Sequence, residues 1–408
     1  MSESSLRAQW VRLIVLSGVH FLVDMFGNML PAILPVVRED FSLSLAMASF
    51  IPASLALTAN GVQMLTGHLR ADERRPFFLH IGVFLASIIC VIALAPRSNV
   101  GVAMIVVLGI VSGSGIAVTH PEGLRAVHTL SQIPAATSTA VFMTSGFLGF
   151  ASGGVIAAAL VSRFGLTGLY PLVLLPGVAV AAVVLSRVTL AVEAESDPNG
   201  TPVAVPHRLP FWLILAIGVP AGVSTTAILQ LIPTHLDALG FALTFGGFST
   251  AMFGWGGAVG PFAWAAVALR RGDLPCSTFA FLLAAPFTFC YLLFIESRVA
   301  VGLLFGAGFF SMSAYILTIT LARYARGLNL GQRMAGIVGG TWGIAYIVFM
   351  GLGVLADHIG TGPVLKLTPF GYALSGLIGL WAMRKYPEMG HGIRSSPAFV
   401  AAHEHPPV

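Results

Sequence analysis

Long apolar runs alternate with short polar connections along almost the whole chain. A helix of about 20 apolar residues is long enough to cross a hydrocarbon core roughly 30 Å thick. Polar and apolar residues do not alternate within the runs, which favours helices over the strands of a closed barrel. We therefore predict an all-α polytopic membrane protein with twelve spans, at residues 11–36, 43–67, 76–95, 100–121, 134–161, 167–187, 210–234, 241–268, 276–295, 299–322, 334–356 and 363–383.

One polar stretch near the centre of the chain divides these spans into two groups of six. Residues 188–209 are rich in Pro, Asp and Glu, a composition typical of a flexible linker. We predict a six-helix bundle on either side, at residues 1–187 and 210–385, followed by a tail at 386–408. Segments that resemble each other, such as LVSRFGLTG in the first half and LADHIGTGP in the second, indicate that the halves are pseudo-symmetric repeats.

Composition and charge agree with a membrane protein and set its orientation. The 408 residues are 56% hydrophobic and 9% charged, whereas a soluble domain carries about 25% charged residues. The net charge of +5 comes from short basic clusters between spans, so it does not indicate nucleic-acid binding. Alternate connections hold sixteen Lys and Arg residues on one side and five on the other. Because cytoplasmic loops carry the excess, we expect both termini in the cytoplasm and the chain in a bacterial inner membrane.

The chain lacks the motifs of an enzyme or of an ATP-driven pump. It contains no G-x-x-x-x-G-K-[ST] phosphate loop, no HExxH and no paired CxxC. Cys90, Cys276 and Cys290 lie in or beside apolar runs without the spacing of metal ligands. We therefore expect no enzymatic activity, no cofactor and no metal, and any transport would be passive or driven by a gradient.

Three polar residues share one face of the first span. His20, Asp24 and Asn28 follow one another at intervals of four residues, so they stack on the same side of a helix. Ionisable residues in membrane helices are costly and are usually kept to handle a substrate or a proton. A desolvated carboxyl group beside an imidazole can load and release a proton near neutral pH. We predict Asp24 as the proton-coupling site with His20 as its partner; the alternative is a pair that only pins two helices together.

A second polar cluster lies at the end of the fourth span. Glu122 and Arg125 are three residues apart and can pair along one helix face. Pro121 is expected to kink the helix or to loosen its backbone. Beside a cavity, Glu122 would be a second proton-coupling site, and His120 and Arg125 would bind substrate. The alternative is a structural clamp near the membrane surface, where Arg can extend its head group into water.

The second half offers mainly aromatic and amide side chains. Trp342 and Tyr346 are four residues apart on one face of span 11, and aromatic side chains on a cavity wall suit an organic substrate. Residues of this kind more often serve in ordinary packing or at the membrane interface, which is the alternative. The predicted substrate-binding set is Asn28, His120, Arg125, Gln230, Tyr315, Trp342 and Tyr346.

The architecture and several motifs resemble the major facilitator superfamily over residues 10 to about 385. GHLRADERRP (67–76) resembles the loop motif G-x-L-a-D-r-x-G-r-r between spans 2 and 3. Gly67, Arg74 and Arg75 match that motif, and Asp72 comes one residue late. GFASGG in span 5 resembles the antiporter motif G-P-x-x-G-G, with Phe in place of Pro. The resemblance implies the twelve-helix major facilitator fold and gives the loop residues a conformational role.

A narrower resemblance is to the fosmidomycin-resistance-type exporters. It rests on HFLVD followed by LPAILP in span 1, HPEGLR at the end of span 4, and GVLADHIG at the end of span 11. The resemblance implies a monomeric, proton-coupled secondary transporter that exports a small organic solute or drug in exchange for protons by alternating access. The alternative is a proton-coupled importer or facilitator of a small organic anion such as a carboxylate, because His and Arg outnumber acids around the predicted cavity.

Overall fold

The computed structural model describes residues 3–69, 73–133, 135–191, 209–323, 325–328 and 330–390. Within these residues, twelve helical segments are long and apolar enough to cross a membrane, which confirms the predicted all-α fold. The α-helices are α1 Glu3–Gly27, α2 Leu30–Asp40, α3 Leu45–Leu69, α4 Phe77–Ser87, α5 Asn99–Val127, α6 Ala135–Phe164, α7 Leu175–Leu185, α8 Phe211–Ala238, α9 Leu243–Arg271, α10 Asp273–Leu293, α11 Val301–Arg323, α12 Leu330–Ala335, α13 Thr341–Ile359, α14 Thr361–Leu365 and α15 Thr368–Lys385.

Several spans combine more than one helical segment. Tighter 3-10 segments continue α4 (Ile88–Leu94) and precede α7 (Leu166–Leu174), and a π-helical segment, Gly336–Gly340, joins α12 to α13. Two shorter 3-10 segments lie at Arg298–Ala300 and Pro387–Gly390. Most of the predicted boundaries lie within a few residues of the observed ones. Single spans, however, are not always single regular helices.

The first span is interrupted at its centre. α1 ends at Gly27 and α2 begins at Leu30, with Pro31 in its first turn. Because Pro31 has no backbone N–H, it cannot bond to the carbonyl four residues earlier, and the helical ladder breaks there. The Nδ2 group of Asn28 donates a hydrogen bond of 2.8 Å to the Phe150 carbonyl, which ties the interruption to α6. This span was predicted as one continuous helix over residues 11–36.

The chain forms two compact units. Unit 1 consists of Met1–Thr201, Gln230–Gly254 and Phe349–Thr361, and unit 2 of the remaining segments. Unit 1 therefore holds the first six spans together with one end each of α8, α9 and α13. The division into two six-helix halves stays a prediction, and most of its linker and tail, residues 192–208 and 391–408, lies outside the described residues.

Glycines allow α6 to pack directly against α1 in unit 1. Gly149 lies against the Phe21 carbonyl and Gly153 against the Met25 carbonyl, and neither position has room for a methyl group. Small residues let membrane helices approach at backbone distance. The stretch that resembles an antiporter motif is thus part of the α1–α6 interface, which fixes the position of the polar face of α1.

Unit 2 has a buried core of its own. α10 packs against α11 and α15, with Gly376 and Gly379 of α15 close to the side chains of Leu282 and Thr278. Tyr372 is fully buried and its hydroxyl shares a hydrogen bond of 2.8 Å with Thr225. The Tyr372 hydroxyl thus has a hydrogen-bond partner on a neighbouring helix, which a polar group buried in an apolar core requires.

Candidate functional site

Three titratable side chains of unit 1 meet where α1 approaches α5. One carboxylate oxygen of Asp24 lies 3.3 Å from Nε2 of His20, and the other lies 3.0 Å from Nε2 of His120. The two imidazole rings are 5.1 Å apart and nearly perpendicular, at 85°. His20 and Asp24 are in contact one turn apart on α1, as their spacing predicts. His120, which the sequence analysis assigned to substrate binding, contacts Asp24 from α5.

Backbone carbonyls anchor both imidazoles. Nδ1 of His20 lies 2.8 Å from the Phe142 carbonyl, and its ring stacks on the Phe142 ring at 4.2 Å. Nδ1 of His120 lies 2.9 Å from the Ile116 carbonyl. Because a carbonyl oxygen can only accept a hydrogen bond, each Nδ1 must be the protonated nitrogen. A neutral imidazole in either position therefore presents an unprotonated Nε2 to Asp24.

This anchoring makes the cluster sensitive to its number of protons. Each contact between Nε2 and the carboxylate is a hydrogen bond only if it holds one proton, supplied by an imidazolium or by a protonated Asp24. With one such proton the cluster of Asp24, His20 and His120 is electrically neutral, and with two it carries one net positive charge. With none, lone pairs face each other across both contacts. The cluster can thus change its charge by gaining or losing a proton without any rearrangement of the rings.

Gly146 of α6 makes room for this cluster. A methyl group at Gly146 would collide with the His20 imidazole and with the Asp24 carboxylate. Gly146 was not among the residues predicted from the sequence. Its spacing from Gly149 and Gly153, three and seven residues further along the helix, places it on the same face of α6. That periodicity was the available signal.

The three side chains differ in their exposure. His20 is shielded, with 5% of its side chain exposed, whereas Asp24 and His120 are exposed by 19% and 22%. Asp24 and His120 are therefore the more accessible members of the cluster. Each residue also places one donor atom within 4.8 Å of the others, and imidazole and carboxylate groups bind transition metals. Proton measurements on this cluster consequently require a metal chelator.

Glu122 and Arg125 reach other elements from the end of α5. The buried Glu122 carboxylate accepts a hydrogen bond of 2.8 Å from the N–H of Leu79, in the first turn of α4. A carboxylate at a helix N-terminus is stabilised by the free N–H groups and by the helix dipole. Arg125 donates to the Ala191 carbonyl at 2.9 Å and to the Glu73 carbonyl at 2.7 Å. These contacts join α4, α5 and the segment after α7.

The remaining predicted substrate residues lie in different surroundings. The amide of Asn28 is engaged by α6, as described above, and Gln230 is buried in α8. In unit 2, the rings of Tyr315 and Trp342 meet edge to face at 5.0 Å, and Tyr346 is half-buried one turn beyond Trp342. The role of these residues in substrate binding stays a prediction.

The predicted conformational loop is only partly described. Gly67 lies in α3, whereas Asp72 is outside the described residues. Arg74 and Arg75 are exposed just before α4, and the Arg74 carbonyl accepts a hydrogen bond of 2.9 Å from the N–H of Leu190. The described part of this loop therefore contacts the segment that follows α7.

The fold and the sequence define the class of protein. Residues 16–314 match the Major Facilitator Superfamily, and the chain belongs to this superfamily of membrane transporters. This membership confirms the predicted family and the prediction that the chain is a transporter rather than an enzyme.

Curated relatives match only part of the chain. The fosmidomycin resistance protein of Escherichia coli (strain K12) is 27% identical over 165 residues, which are 40% of this chain and 40% of that protein. The uncharacterized MFS-type transporter EfpA of Mycobacterium tuberculosis is 29% identical over 152 residues, 36% of this chain and 28% of that protein. The match thus spans two fifths or less of the length of these relatives.

Solved structures share the fold over almost the whole chain. A bacterial homologue of the human lysosomal transporter Spinster, in an inward-facing and unoccupied conformation, superimposes with a TM-score of 0.73 at 13% identity, covering 96% of this chain and 100% of that one. The nucleoside transporter NupG gives a TM-score of 0.69 at 11% identity, covering 91% and 99%. At these identities the likeness concerns the fold alone.

Proposed function

We propose that this transporter exports a small organic solute in exchange for protons, and that Asp24, His20 and His120 form its proton-coupling site. The observation that carries the proposal is a membrane-embedded carboxylate held between two imidazoles whose other nitrogens are fixed by backbone carbonyls. Ionisable clusters of this kind inside a membrane protein are typical of proton pathways. The site would operate in a monomer of the bacterial inner membrane with both termini in the cytoplasm.

The proton cycle follows from the two contacts of the Asp24 carboxylate. When the site is open to the proton-rich side, a second proton enters and both contacts become hydrogen bonds. When the site is open to the other side, this proton leaves and the cluster returns to the neutral state. Alternating access then couples each proton movement to the passage of one solute in the opposite direction.

The proposal revises the roles of the sequence-derived candidates. His120 is assigned to the proton site because it is in contact with Asp24. The contacts of Glu122 and Arg125 with helix ends and loop carbonyls favour a structural clamp over proton or substrate binding. Substrate binding is left to Asn28, Gln230 and the aromatic residues Tyr315, Trp342 and Tyr346, which suit an organic solute.

Export is favoured by the relatives, and one feature of the cluster favours the alternative. The name of the E. coli relative refers to resistance to fosmidomycin, as an exporter of small organic molecules would confer. With both contacts protonated, however, the cluster carries one net positive charge, which would attract an organic anion. A proton-coupled importer or facilitator of small anions such as carboxylates is therefore the second candidate.

The first experiment identifies a ligand. The purified protein is screened by thermal shift at two pH values, in the presence of a chelator, against a panel of antibiotics that includes fosmidomycin and against small carboxylates. A ligand whose binding is coupled to protonation stabilises the protein to different extents at the two pH values. The panel also distinguishes the two candidate substrate classes.

The second experiment tests coupling and direction. Everted vesicles are acidified by respiration, the ligand is added, and internal pH is followed with a dye. We expect proton release in the wild type and in the control Glu296→Gln, which removes an exposed carboxylate. Asp24→Asn should abolish release and retain ligand exchange down a gradient. Release at the wild-type rate in Asp24→Asn would refute the assignment, and further acidification of the lumen as ligand enters the vesicles would favour a symporter.

A further inference from the structure

The first turn of α3 is capped by a residue from the far end of the chain. The carboxylate of Asp357, in the last turn of α13, accepts hydrogen bonds from the N–H groups of Leu45 at 2.6 Å and Ala46 at 2.9 Å. The first N–H groups of a helix have no partner within the helix, and the helix dipole favours a negative charge at this end. Capping groups usually come from the residue just before the helix. Here the cap for the first two donors comes from a different span.

A second contact lies one turn earlier on α13. Gly353 packs so closely against Ser49 and the Leu45 carbonyl that a methyl group in its place would collide with them. Gly353 and Ser49 are both buried, whereas Asp357 is exposed. Two successive turns of α13 therefore engage the first turn and a half of α3, through the close contact of Gly353 with Ser49 and the Leu45 carbonyl and through the charge-assisted hydrogen bonds of Asp357.

We propose that Asp357, Gly353 and the start of α3 form a latch that keeps the predicted outer end of the transporter closed and that opens in each transport cycle. α13 begins in unit 2 and ends in unit 1, which includes it from Phe349 onward. Alternating access requires that contacts at one end of the molecule break while those at the other end form. A contact that joins the ends of two different spans is placed to control this step.

The chemistry of the contact suits reversible opening. Because Asp357 is exposed, water can replace its two hydrogen bonds when the helices separate, so opening leaves no buried charge without a partner. Ser44, whose side chain also hydrogen-bonds to Asp357, supports the same turn through bonds within the chain around it: its hydroxyl accepts from the N–H of Met47 at 3.2 Å and its carbonyl accepts from the N–H of Ala48 at 2.9 Å. The start of α3 can thus remain helical after Asp357 has left it.

The test measures opening directly and requires neither a substrate nor proton coupling. A cysteine is placed at the shielded position, Ser49→Cys, in a chain whose three native cysteines are replaced, and its reaction with a maleimide is timed on purified protein. We expect Asp357→Ala to accelerate labelling about fivefold, the consequence of losing a charge at a helix terminus. Asp357→Asn, which preserves the shape, should give an intermediate rate, and the neighbouring His358→Gln should leave the rate unchanged.

A second pair of variants tests the close contact. Gly353→Ala should also accelerate labelling, because the methyl group forces the two helices apart. Gly351→Ala is the matched control, since Gly351 has no atom near the position of an added methyl group. Unfolding temperatures are measured in parallel. Unchanged labelling in Asp357→Ala or Gly353→Ala would overturn the latch. If the unfolding temperature fell at the same time, Asp357 would be a static helix cap.

Discussion

Gly146→Ala perturbs the proton site without changing any titratable group. The added methyl group would overlap the His20 ring and the Asp24 carboxylate. His20 cannot simply turn away, because its ring is stacked on Phe142 and hydrogen-bonded to the Phe142 carbonyl. α6 cannot simply move away either, because it is packed on α1 through Gly149. The variant must therefore separate His20 from Asp24 or loosen the α1–α6 interface.

The expected magnitude follows from these two routes. Inserting a methyl group into a well-packed core costs about 1–3 kcal/mol. Displacing His20 sacrifices a hydrogen bond to a charged group, which is worth about 1.5–3 kcal/mol. Alanine is favoured over glycine within a helix by about 0.8–1.0 kcal/mol, which offsets part of either cost. We expect a net loss of up to about 2 kcal/mol, equivalent to a factor of up to roughly 30 in the population of the intact site.

Proton release from vesicles and the thermal unfolding temperature are the assays for this variant. Gly18→Ala is the control, because Gly18 lies on α1 close to the site and nothing occupies the position of its added methyl group. Gly18→Ala should retain or raise stability and leave proton release intact, whereas Gly146→Ala should lower proton release several-fold. Equal proton release and equal stability in the two variants would refute the claim that Gly146 positions the site.

Two further predictions concern the clamp at the end of α5. Glu122→Ala should lower the unfolding temperature, since loss of the acceptor in the first turn of α4 costs about 1 kcal/mol, while proton release per solute stays at the wild-type value. Loss of proton release would instead return Glu122 to the proton pathway. Arg125→Ala should accelerate proteolysis of the connection between spans 6 and 7, because the Ala191 carbonyl loses its donor. The exposed Arg384→Ala is the control, and equal cleavage rates would contradict this role.

The membrane fold could be predicted from sequence because the bilayer imposes one strong constraint on every span. Most helix ends lie within a few residues of the predicted ones, since hydropathy changes sharply where a helix leaves the apolar core, but α1 begins earlier, at Glu3, and α5 continues to Val127. The interruption between α1 and α2 was not predicted, although Pro31 offers a physical signal for it. The interruption depends on the position of Pro31, which lacks a backbone N–H, and on the hydrogen bond from Asn28 to α6. Hydropathy reports neither feature.

Only the part of the candidate site that lies on a single helix could be predicted from the sequence. The contact of His20 with Asp24 follows from helical periodicity, whereas His120 joins them across the α1–α5 interface, whose register no local pattern encodes. Spacing likewise suggested that Glu122 and Arg125 pair along α5, and this pairing stays a prediction; their hydrogen bonds to α4 and to loop carbonyls could not be predicted from that spacing. Each of these side chains has hydrogen-bond or ionic partners on other helices or loops, and no local pattern encodes such partners.

The central claim is that the cluster around Asp24 takes up a proton that is released when solute binds. It is tested most directly by counting protons released per bound ligand with purified protein in weakly buffered, chelator-treated solution, using a compound found in the thermal-shift screen. The account predicts measurable release for the wild type and for Glu296→Gln, and none for Asp24→Asn that still binds the ligand. Equal release from Asp24→Asn and the wild type, or no release from the wild type, would contradict it.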